Sequence, residues 1–249
     1  MIPLLTGGLS FSFKLAELIF FPSFCPLCSS LLELTDEKVI CHDCLESLKP
    51  QKSSYCYCCG RFFYDFSNLH LCGSCLEKRP PFSIHRSAAP YRGKLKDIIL
   101  LFKYKGFRIL GRDLAYFIYQ AFKDDEAIWW GLDSIIPVPI HPRRKKIRGF
   151  NQVQIIAKEL SRLSGIEIVE KCLIKTKNVP PQTSLDAKER RRNVRGAFEI
   201  KRSESIKGKI ILLVDDVFTT GSTIYECSFV LKNAGAKEVR ALSLAQACA

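Results

Sequence analysis

The segment 210–223 joins an apolar run, an acidic pair and a glycine turn rich in hydroxyl side chains. The apolar run, residues 210–214, does not alternate with polar residues, which favours a central parallel strand covered by helices on both faces. Ligands of such sheets bind at the carboxyl ends of the strands. The segment therefore predicts an α/β fold with a binding site just after residue 214.

The residues after this strand have the composition of a phosphate-binding turn. A helix is predicted from about residue 223 to residue 233, and the backbone N–H groups at a helix start bind anions. Gly221 lets the backbone approach an anion closely, whereas a β-branched residue would block it or strain the turn. The candidate phosphate-binding residues are Thr219, Thr220, Gly221, Ser222 and Thr223.

The acidic pair, Asp215 and Asp216, cannot face that phosphate. Adjacent carboxylates can instead accept hydrogen bonds from sugar hydroxyls or hold a metal-bound water. A ribose 5-phosphate fits both halves of the segment. The alternative is an acidic strand end of the response-regulator type, in which the threonines only cap the helix.

The segment 210–223 resembles the phosphoribosyl pyrophosphate (PRPP) motif of type I phosphoribosyltransferases. The resemblance implies a doubly wound, mostly parallel sheet, with Asp215 and Asp216 on the ribose 2′- and 3′-hydroxyls. It also implies that residues 219–223 form the 5-phosphate loop, and that Mg²⁺ accompanies the pyrophosphate.

Other stretches narrow the resemblance to ComF-type proteins (ComFC/GntX-like), which carry an N-terminal cysteine-rich module. Several of these proteins are linked to DNA uptake in natural transformation. Lys175 departs from the pattern, because an arginine is expected there and a lysine loses the bidentate geometry. The matching stretches are residues 137–144 and 148–152, and Gln182, Leu185, Arg190, Arg192, Asn193, Gly196, Ala197 and Phe198.

The net charge of +13 is unevenly distributed. Residues 1–85 hold 7 Lys/Arg against 8 Asp/Glu, so the remaining residues hold 31 against 17. The basic excess of that second part could compensate a bound pyrophosphate, line a groove for nucleic-acid phosphates, or be a solvated surface. It concentrates in two predicted loops, at Arg143, Arg144, Lys145, Lys146 and Arg148, and at Lys188, Arg190, Arg191, Arg192 and Arg195.

Three further sets of residues are candidates for substrate binding. Arg143, Arg144 and Arg190 would neutralise the leaving pyrophosphate, and Arg190 joins the acidic pair as a catalytic candidate. The segment 176–195 has almost no apolar periodicity, which is typical of a long lid loop; its lid candidates are Gln182, Arg190 and Asn193. Lys103 ends an amphipathic helix that begins at Gly93, so it either reaches the substrate or is a solvated lysine.

Four Cys-x-x-Cys pairs precede residue 76, and the block recurs with a period of 31 residues. Thiolate pairs brought together in fours match tetrahedral Cys₄ zinc. We predict two structural zinc ribbons, with sequential pairing favoured by the repeat; a crossed arrangement, disulfides and iron are the alternatives. The predicted ligands are Cys25, Cys28, Cys41, Cys44, Cys56, Cys59, Cys72 and Cys75.

Two domains are predicted, an N-terminal helix with the double zinc ribbon at 1–85 and a phosphoribosyltransferase-like α/β domain at 86–249. The apolar segment 9–24 is too short and too charged to span a bilayer, which favours a docking helix. Beyond residue 85 we predict helices from Gly93, from Leu110 and over 151–163, and strands over 134–138, 167–174 and 237–245.

The sequence thus predicts a PRPP-binding, phosphoribosyltransferase-like protein that uses Mg²⁺ and acts in DNA uptake or nucleotide salvage. It is expected in the cytoplasm, free or peripheral at the inner membrane, and not as an integral membrane protein. The alternative is a non-enzymatic protein that binds single-stranded DNA on the same scaffold. A third option is an adaptor for a competence helicase or a membrane channel protein.

Overall fold

The computed structural model describes residues 23–32, 39–52, 54–63, 70–178 and 192–247. Two compact units divide the chain between Leu48 and Lys49. Within the described residues, no helix has both the length and the apolarity needed to cross a membrane.

The first unit contains the first two Cys-x-x-Cys pairs. An antiparallel bridge joins Phe24 to Leu31 and closes a knuckle around Cys25. Ser29 adopts the left-handed conformation there (φ 61°), and its N–H donates to the Cys25 carbonyl at 2.8 Å. Cys44, from the second cysteine pair, lies on the short helix α1 (His42–Glu46).

The second unit repeats this pattern at the same 31-residue offset. Its bridge joins Tyr55 to Phe62, and Gly60 (φ 65°) takes the left-handed position that Ser29 takes in the first copy. Helix α2 (Gly73–Glu77) carries Cys75. The 31-residue repeat in the sequence is therefore also a repeat of the backbone conformation.

A parallel sheet of four strands, in the order β1-β6-β5-β2, forms the core of the second unit. The central strand β5 is covered on both faces, since residues 211–214 are completely buried. This agrees with the prediction for an apolar run without alternation. The strands are β1 (Ile84–Pro90), β2 (Ser134–Pro137), β5 (Ile210–Phe218) and β6 (Glu238–Gln246), and Ile168 adds one parallel bridge to β2.

The helices of this unit pack on the sheet. Helix α4 (Leu110–Phe122) and helix α7 (Gln152–Ser164) contact each other and the strands, and helix α8 (Ser222–Asn233) contacts β5, β6 and the hairpin strand β4 (Phe198–Ile200). The helices are α3 (Gly93–Tyr104), α4 (Leu110–Phe122), α5 (Glu126–Trp129), α6 (Pro142–Arg148), α7 (Gln152–Ser164) and α8 (Ser222–Asn233). The remaining elements are an antiparallel hairpin of β3 (Leu173–Lys175) and β4 (Phe198–Ile200), and a 3₁₀ turn at Ser203–Ser205.

The second ribbon is bonded to the edge strand β1. The His85 N–H donates to the Cys58 carbonyl and the Gln51 N–H to the Ala88 carbonyl, each at 2.8 Å. A Cβ on Gly60 would lie 2.4 Å from the His85 carbonyl oxygen, so only glycine permits this approach. The domain boundary predicted after residue 85 falls inside β1, and the second ribbon belongs to the compact unit of the sheet.

Two local predictions were wrong. The basic stretch 143–148, predicted as a loop, is helix α6, with Pro142 in its first turn and Gly149 (φ 77°) as a left-handed C-cap. The strand predicted over 167–174 is interrupted, because Lys171 adopts a left-handed conformation (φ 62°) between Ile168 and β3. The predicted docking helix lies almost entirely outside the described residues, and so do the lid candidates Gln182 and Arg190.

Candidate functional site

The acidic pair lies within β5 rather than beyond it, because this strand continues to Phe218. Asp215 and Asp216 are each only 8% exposed. Side chains of adjacent strand residues point to opposite faces of a sheet. The two carboxylates therefore meet different neighbours, although they are consecutive.

Asp216 has two partners from helices that pack near the sheet. Lys103 at the end of α3 lies 2.9 Å away (Nζ to Oδ1), and the Gln152 amide at the start of α7 donates to Oδ2 at 2.8 Å. Burial alone would raise the pKa of Asp216, but Lys103 and the Gln152 hydrogen bond hold it below its usual value. Asp216 is thus an ionised carboxylate with a fixed orientation.

The surroundings of Asp215 favour its neutral form instead. Burial, and then the negative charge of Asp216, raise its pKa from 3.8 to about 7. Its Oδ1 accepts a hydrogen bond from the Asp216 N–H at 2.8 Å, which only partly offsets this rise. One carboxylate of the pair is therefore charged throughout the neutral range, whereas the other changes charge within it.

The glycine turn predicted to bind phosphate connects β5 to α8. Gly221 (φ 75°) is the N-cap of α8, and the hydroxyls of Thr220 and Ser222 lie 2.7 Å apart. A Cβ on Gly221 would lie 2.6 Å from the Phe218 ring, so the turn packs directly on that side chain. The geometry leaves the first N–H groups of a 12-residue helix free of intrahelical partners.

Two basic side chains near the acidic pair, Arg144 and Lys175, have lowered pKa values. Burial and then Arg148 lower the pKa of Arg144, while burial and then Arg144 lower the pKa of Lys175. Lys175 Nζ lies 5.1 Å from the centre of the Phe198 ring. An anion bound beside these cations would favour their charged forms. Arg143 and the lid candidate Asn193 are exposed.

A cavity of about 600 Å³ lies between the second ribbon and the start of α8. Its walls combine aromatic and cationic side chains, including Tyr225 and Phe229 from α8 and Arg61 and Lys78 from the ribbon. Thr220, Gly221 and Ser222 form one side of it. The glycine turn therefore borders this cavity.

The eight predicted metal-binding cysteines form two groups of four, and in each group all sulfur atoms lie within 4.8 Å of one another. The groups are Cys25, Cys28, Cys41 and Cys44, and Cys56, Cys59, Cys72 and Cys75. Thiolates about 2.3 Å from one tetrahedral zinc stand about 3.8 Å apart. The Cys28–Cys41 and Cys59–Cys72 sulfur distances, 3.5 and 3.6 Å, are close to that value. Both tetrads are consistent with structural zinc, and the pairing is the sequential one.

His85 connects the second tetrad to the glycine turn. Its Nδ1 lies 2.8 Å from the carbonyl oxygen of the zinc-ligand candidate Cys59, and its ring stacks on Phe218 with 3.9 Å between centres. The side chain is completely buried, and burial lowers its pKa to about 3. His85 is therefore a neutral packing group that contacts both elements.

Sequence reasoning missed the contacts of Gln152 and His85. Gln152 was noted only as part of a matching stretch, and His85 was not noted at all. Asn151 could have indicated that Gln152 is the first residue of a helix, since an asparagine before a helix is a typical N-cap. Its side chain accepts from the Val153 N–H at 3.1 Å and donates to the Val138 carbonyl at 3.2 Å, which fixes the start of α7 beside β2.

Comparison with known proteins agrees with this geometry. Residues 17–76 match the model of the double zinc ribbon domain, and residues 147–247 match that of the phosphoribosyl transferase domain. The protein is thus a double zinc ribbon joined to a domain of the type I phosphoribosyltransferase fold.

Three relatives resemble nearly the whole chain. Competence protein F of Haemophilus influenzae is 31% identical over 92% of this chain and 99% of its own. DNA utilization protein YhgH of Escherichia coli O157:H7 is 32% identical over 88% of this chain and 95% of its own. Competence protein ComFC of Streptococcus pneumoniae is 29% identical over 87% and 92%. The chain belongs to the ComF family.

Proposed function

We propose that the protein binds PRPP together with Mg²⁺. The observation that supports this most directly is the arrangement on β5 and α8. Two buried carboxylates, Asp215 and Asp216, precede a glycine turn at the start of a 12-residue helix. Acceptors for sugar hydroxyls and N–H donors for a phosphate are thus a few residues apart on one rigid strand-to-helix connection.

In this proposal each part of PRPP has its own residues. Asp215 and Asp216 accept hydrogen bonds from the ribose hydroxyls, and residues 219–223 hold the 5-phosphate. Arg143, Arg144 and Arg190 compensate the pyrophosphate, with Lys103, Gln182 and Asn193 as further contacts. The carboxylate oxygens of Asp215 and Asp216 suit Mg²⁺, which would neutralise part of the charge of the bound ligand. With an acceptor at ribose C1, the same arrangement would allow pyrophosphate to leave.

The cellular role that we propose is in DNA uptake or utilisation, or in nucleotide salvage. The relatives' names support the first, since they include competence proteins and a DNA utilization protein. We further propose that each cysteine tetrad holds one structural zinc ion and presents a surface to partners such as a helicase or a membrane channel. The location proposed is the cytoplasm, free or at the inner membrane.

The test of PRPP binding is titration calorimetry with Mg²⁺ on the double variant Asp215→Asn, Asp216→Asn. We expect affinity to fall at least a hundredfold, because neutral amides accept hydrogen bonds from sugar hydroxyls more weakly than carboxylates do and no longer attract Mg²⁺. A charge-matched control is Asp97→Asn with Asp124→Asn, both at exposed positions. Unchanged PRPP affinity in a folded acidic-pair variant would refute the proposal.

The second candidate function is binding of single-stranded DNA without catalysis, and helix α6 supports it. This helix has no buried residue, and five of its side chains are cationic: Arg143, Arg144, Lys145, Lys146 and Arg148. Burial against the rest of the protein therefore does not explain why α6 is so rich in Arg and Lys. A row of cations at the rim of a phosphate site is typical of contacts to a nucleic-acid backbone.

Fluorescence anisotropy with a labelled single-stranded oligonucleotide tests this candidate. Affinity should fall steeply with salt, and the slope should become shallower in Arg143→Gln, Lys145→Gln, Lys146→Gln, which removes three exposed cations. Lys94→Gln, Lys96→Gln, Lys201→Gln removes three exposed cations elsewhere and is the control. Equal slopes in the two triple variants would argue against α6. Displacement of the oligonucleotide by PRPP would show that the two functions share a site.

A further inference from the structure

Gln152 has an amide oxygen that nothing in the described part of the chain satisfies. The residue is 2% exposed, and its Oε1 is a buried acceptor without a hydrogen-bond partner there. Buried side-chain acceptors are nearly always paired in folded proteins. An unpaired one beside a proposed ligand site is therefore a sign of a missing donor.

The orientation of this amide is determined by Asp216. An ionised carboxylate only accepts hydrogen bonds, so the Gln152 NH₂ group must face Asp216 Oδ2, 2.8 Å away. If the amide were rotated by 180°, Gln152 Oε1 would face Asp216 Oδ2, and two acceptors cannot form a hydrogen bond. Oε1 is consequently held away from Asp216, and the amide geometry keeps it within about 5 Å of that carboxylate.

The backbone of Gln152 is equally constrained. It is the first residue of α7, and the side chain of the N-cap Asn151 donates to the carbonyl of Val138, the residue that follows β2. Lys103 occupies the other oxygen of Asp216 at 2.9 Å. Gln152 therefore cannot turn toward a different protein donor without breaking its bond to Asp216.

We propose that Gln152 is a ligand-contacting residue whose Oε1 accepts a hydrogen bond from an O–H donor of the molecule bound at the acidic pair. The donor is a hydroxyl of the sugar or a water molecule of its Mg²⁺, which share this chemistry. Gln152 thus has two functions in one amide: Nε2 orients Asp216, and Oε1 recognises the ligand. This inference rests on the proposed binding of a ribose phosphate.

Two substitutions separate the two functions. Gln152→Lys keeps an N–H donor for Asp216 and removes the acceptor, whereas Gln152→Leu removes both. Gln154 provides matched controls two residues further along α7, because its amide donates to the Glu170 carboxylate at 2.7 Å in the same manner. Gln154→Lys and Gln154→Leu therefore make the same chemical changes at a different carboxylate.

The experiment measures binding of ribose 5-phosphate, and of its 2-deoxy and 3-deoxy analogues, to the full chain by calorimetry, with and without Mg²⁺. In the wild type, loss of the recognised hydroxyl should weaken binding about tenfold. In Gln152→Lys that penalty should vanish, while ribose 5-phosphate itself binds about tenfold more weakly. If Gln152→Lys instead abolishes the gain in affinity from Mg²⁺ and leaves the hydroxyl penalties intact, the donor is the metal-bound water.

The result that overturns the proposal is equal weakening of all three sugars by Gln152→Lys, with and without Mg²⁺. Gln152 would then act only through Asp216. Loss of selectivity in the Gln154 variants would also overturn it, because the effect would not be specific to position 152. Failure of the wild type to bind any ribose phosphate would instead contradict the proposed function, and this inference with it.

Discussion

Asp215 and Asp216 show how a single step along a strand changes the chemistry of a residue. Because successive side chains of β5 point to opposite faces of the sheet, Asp216 faces the Lys103 ammonium and the Gln152 amide, and both stabilise its charged form. Asp215 is equally buried, and its nearest ionised neighbour in sequence is another carboxylate. The site therefore holds one carboxylate, Asp216, that is charged throughout the neutral range and one, Asp215, whose charge depends on pH near neutrality.

This difference predicts an unusual effect of Asp215→Asn on stability. The folded-state pKa of Asp215 is raised from 3.8 to about 7, so the folded state holds a proton that the unfolded state releases between these values. The wild type then loses stability as pH rises from about 4 to above 7, and the asparagine variant does not lose it. At about 1.4 kcal/mol per pKa unit, the variant should be about 2–4 kcal/mol more stable at pH 8 and nearly equal at pH 4.

Urea unfolding of both proteins at several pH values measures that difference. Comparing the variant with the wild type at each pH cancels the titration of groups that do not interact with Asp215. A free-energy difference that does not change with pH would show that Asp215 titrates at its ordinary value. The expected gain in stability also means that the native Asp215 is retained at a thermodynamic cost, as is common for ligand-binding residues.

At the scale of elements, the second ribbon and the glycine turn are joined through β1. The His85 ring contacts the Cys59 carbonyl of the ribbon and stacks on Phe218, and the Phe218 ring supports Gly221. Phe218 is also held by its carbonyl, which accepts from the Ala247 N–H at 2.9 Å. The second cysteine tetrad is thus connected to the turn through two stacked rings.

We predict that His85→Leu weakens both folding and phosphate binding. The substitution removes the hydrogen bonds to Cys59 and to Ser243, 3.1 Å from Nε2, and leaves these groups buried without a partner. The free energy of unfolding should fall by about 2–4 kcal/mol. Affinity for ribose 5-phosphate should fall several-fold, because the ring under Gly221 loses its support.

Chemical unfolding and calorimetry on the same sample check both parts. His42→Leu is the control, since His42 is highly exposed on α1, where its Nε2 lies 3.4 Å from a Glu46 carboxylate oxygen. A His85→Leu protein that is destabilised but binds ribose 5-phosphate normally would show that the stacked rings do not position the turn.

The sequence allowed correct prediction of the elements whose signals are local. The apolar run of β5, the glycine before α8 and the spaced cysteine pairs each determine their structure within a few residues. Strand β1 was missed because His85, Arg86 and Ser87 are polar, yet all three are buried. Their partners come from distant parts of the chain, and no periodicity reveals such partners.

Helix α6 and Gln152 were misjudged for two different reasons. Helix α6 lacks an apolar face, so only its Pro142 start and Gly149 end indicated a helix, and the run of cations obscured them. The contact of Gln152 with Asp216 joins two positions that are far apart in sequence. It exists only because the fold brings the start of α7 to β5.

The boundary between the two parts of the molecule can be drawn after residue 48 or after residue 85. The compact units meet between Leu48 and Lys49, so the second ribbon stays with the sheet, whereas the sequence favoured a boundary after residue 85. A cut at 85 removes the first two register pairs of β1, Ile84 with Arg240 and His85 with Ala241. It also removes the ribbon carbonyl at Cys58 that covers this edge strand.

We therefore predict that the fragment 49–249 folds and that the fragment 86–249 does not. The longer fragment keeps every hydrogen bond between ribbon and β1, and should unfold in one cooperative transition with one zinc ion per chain, against two for the full protein. The shorter fragment exposes the edge of β1 that the second ribbon covers in the full protein, and an uncovered strand edge should aggregate. Circular dichroism on heating, combined with metal analysis by mass spectrometry, distinguishes the two. If 86–249 unfolds cooperatively at the same temperature as 49–249, the second ribbon is an appendage of the sheet and not part of its fold.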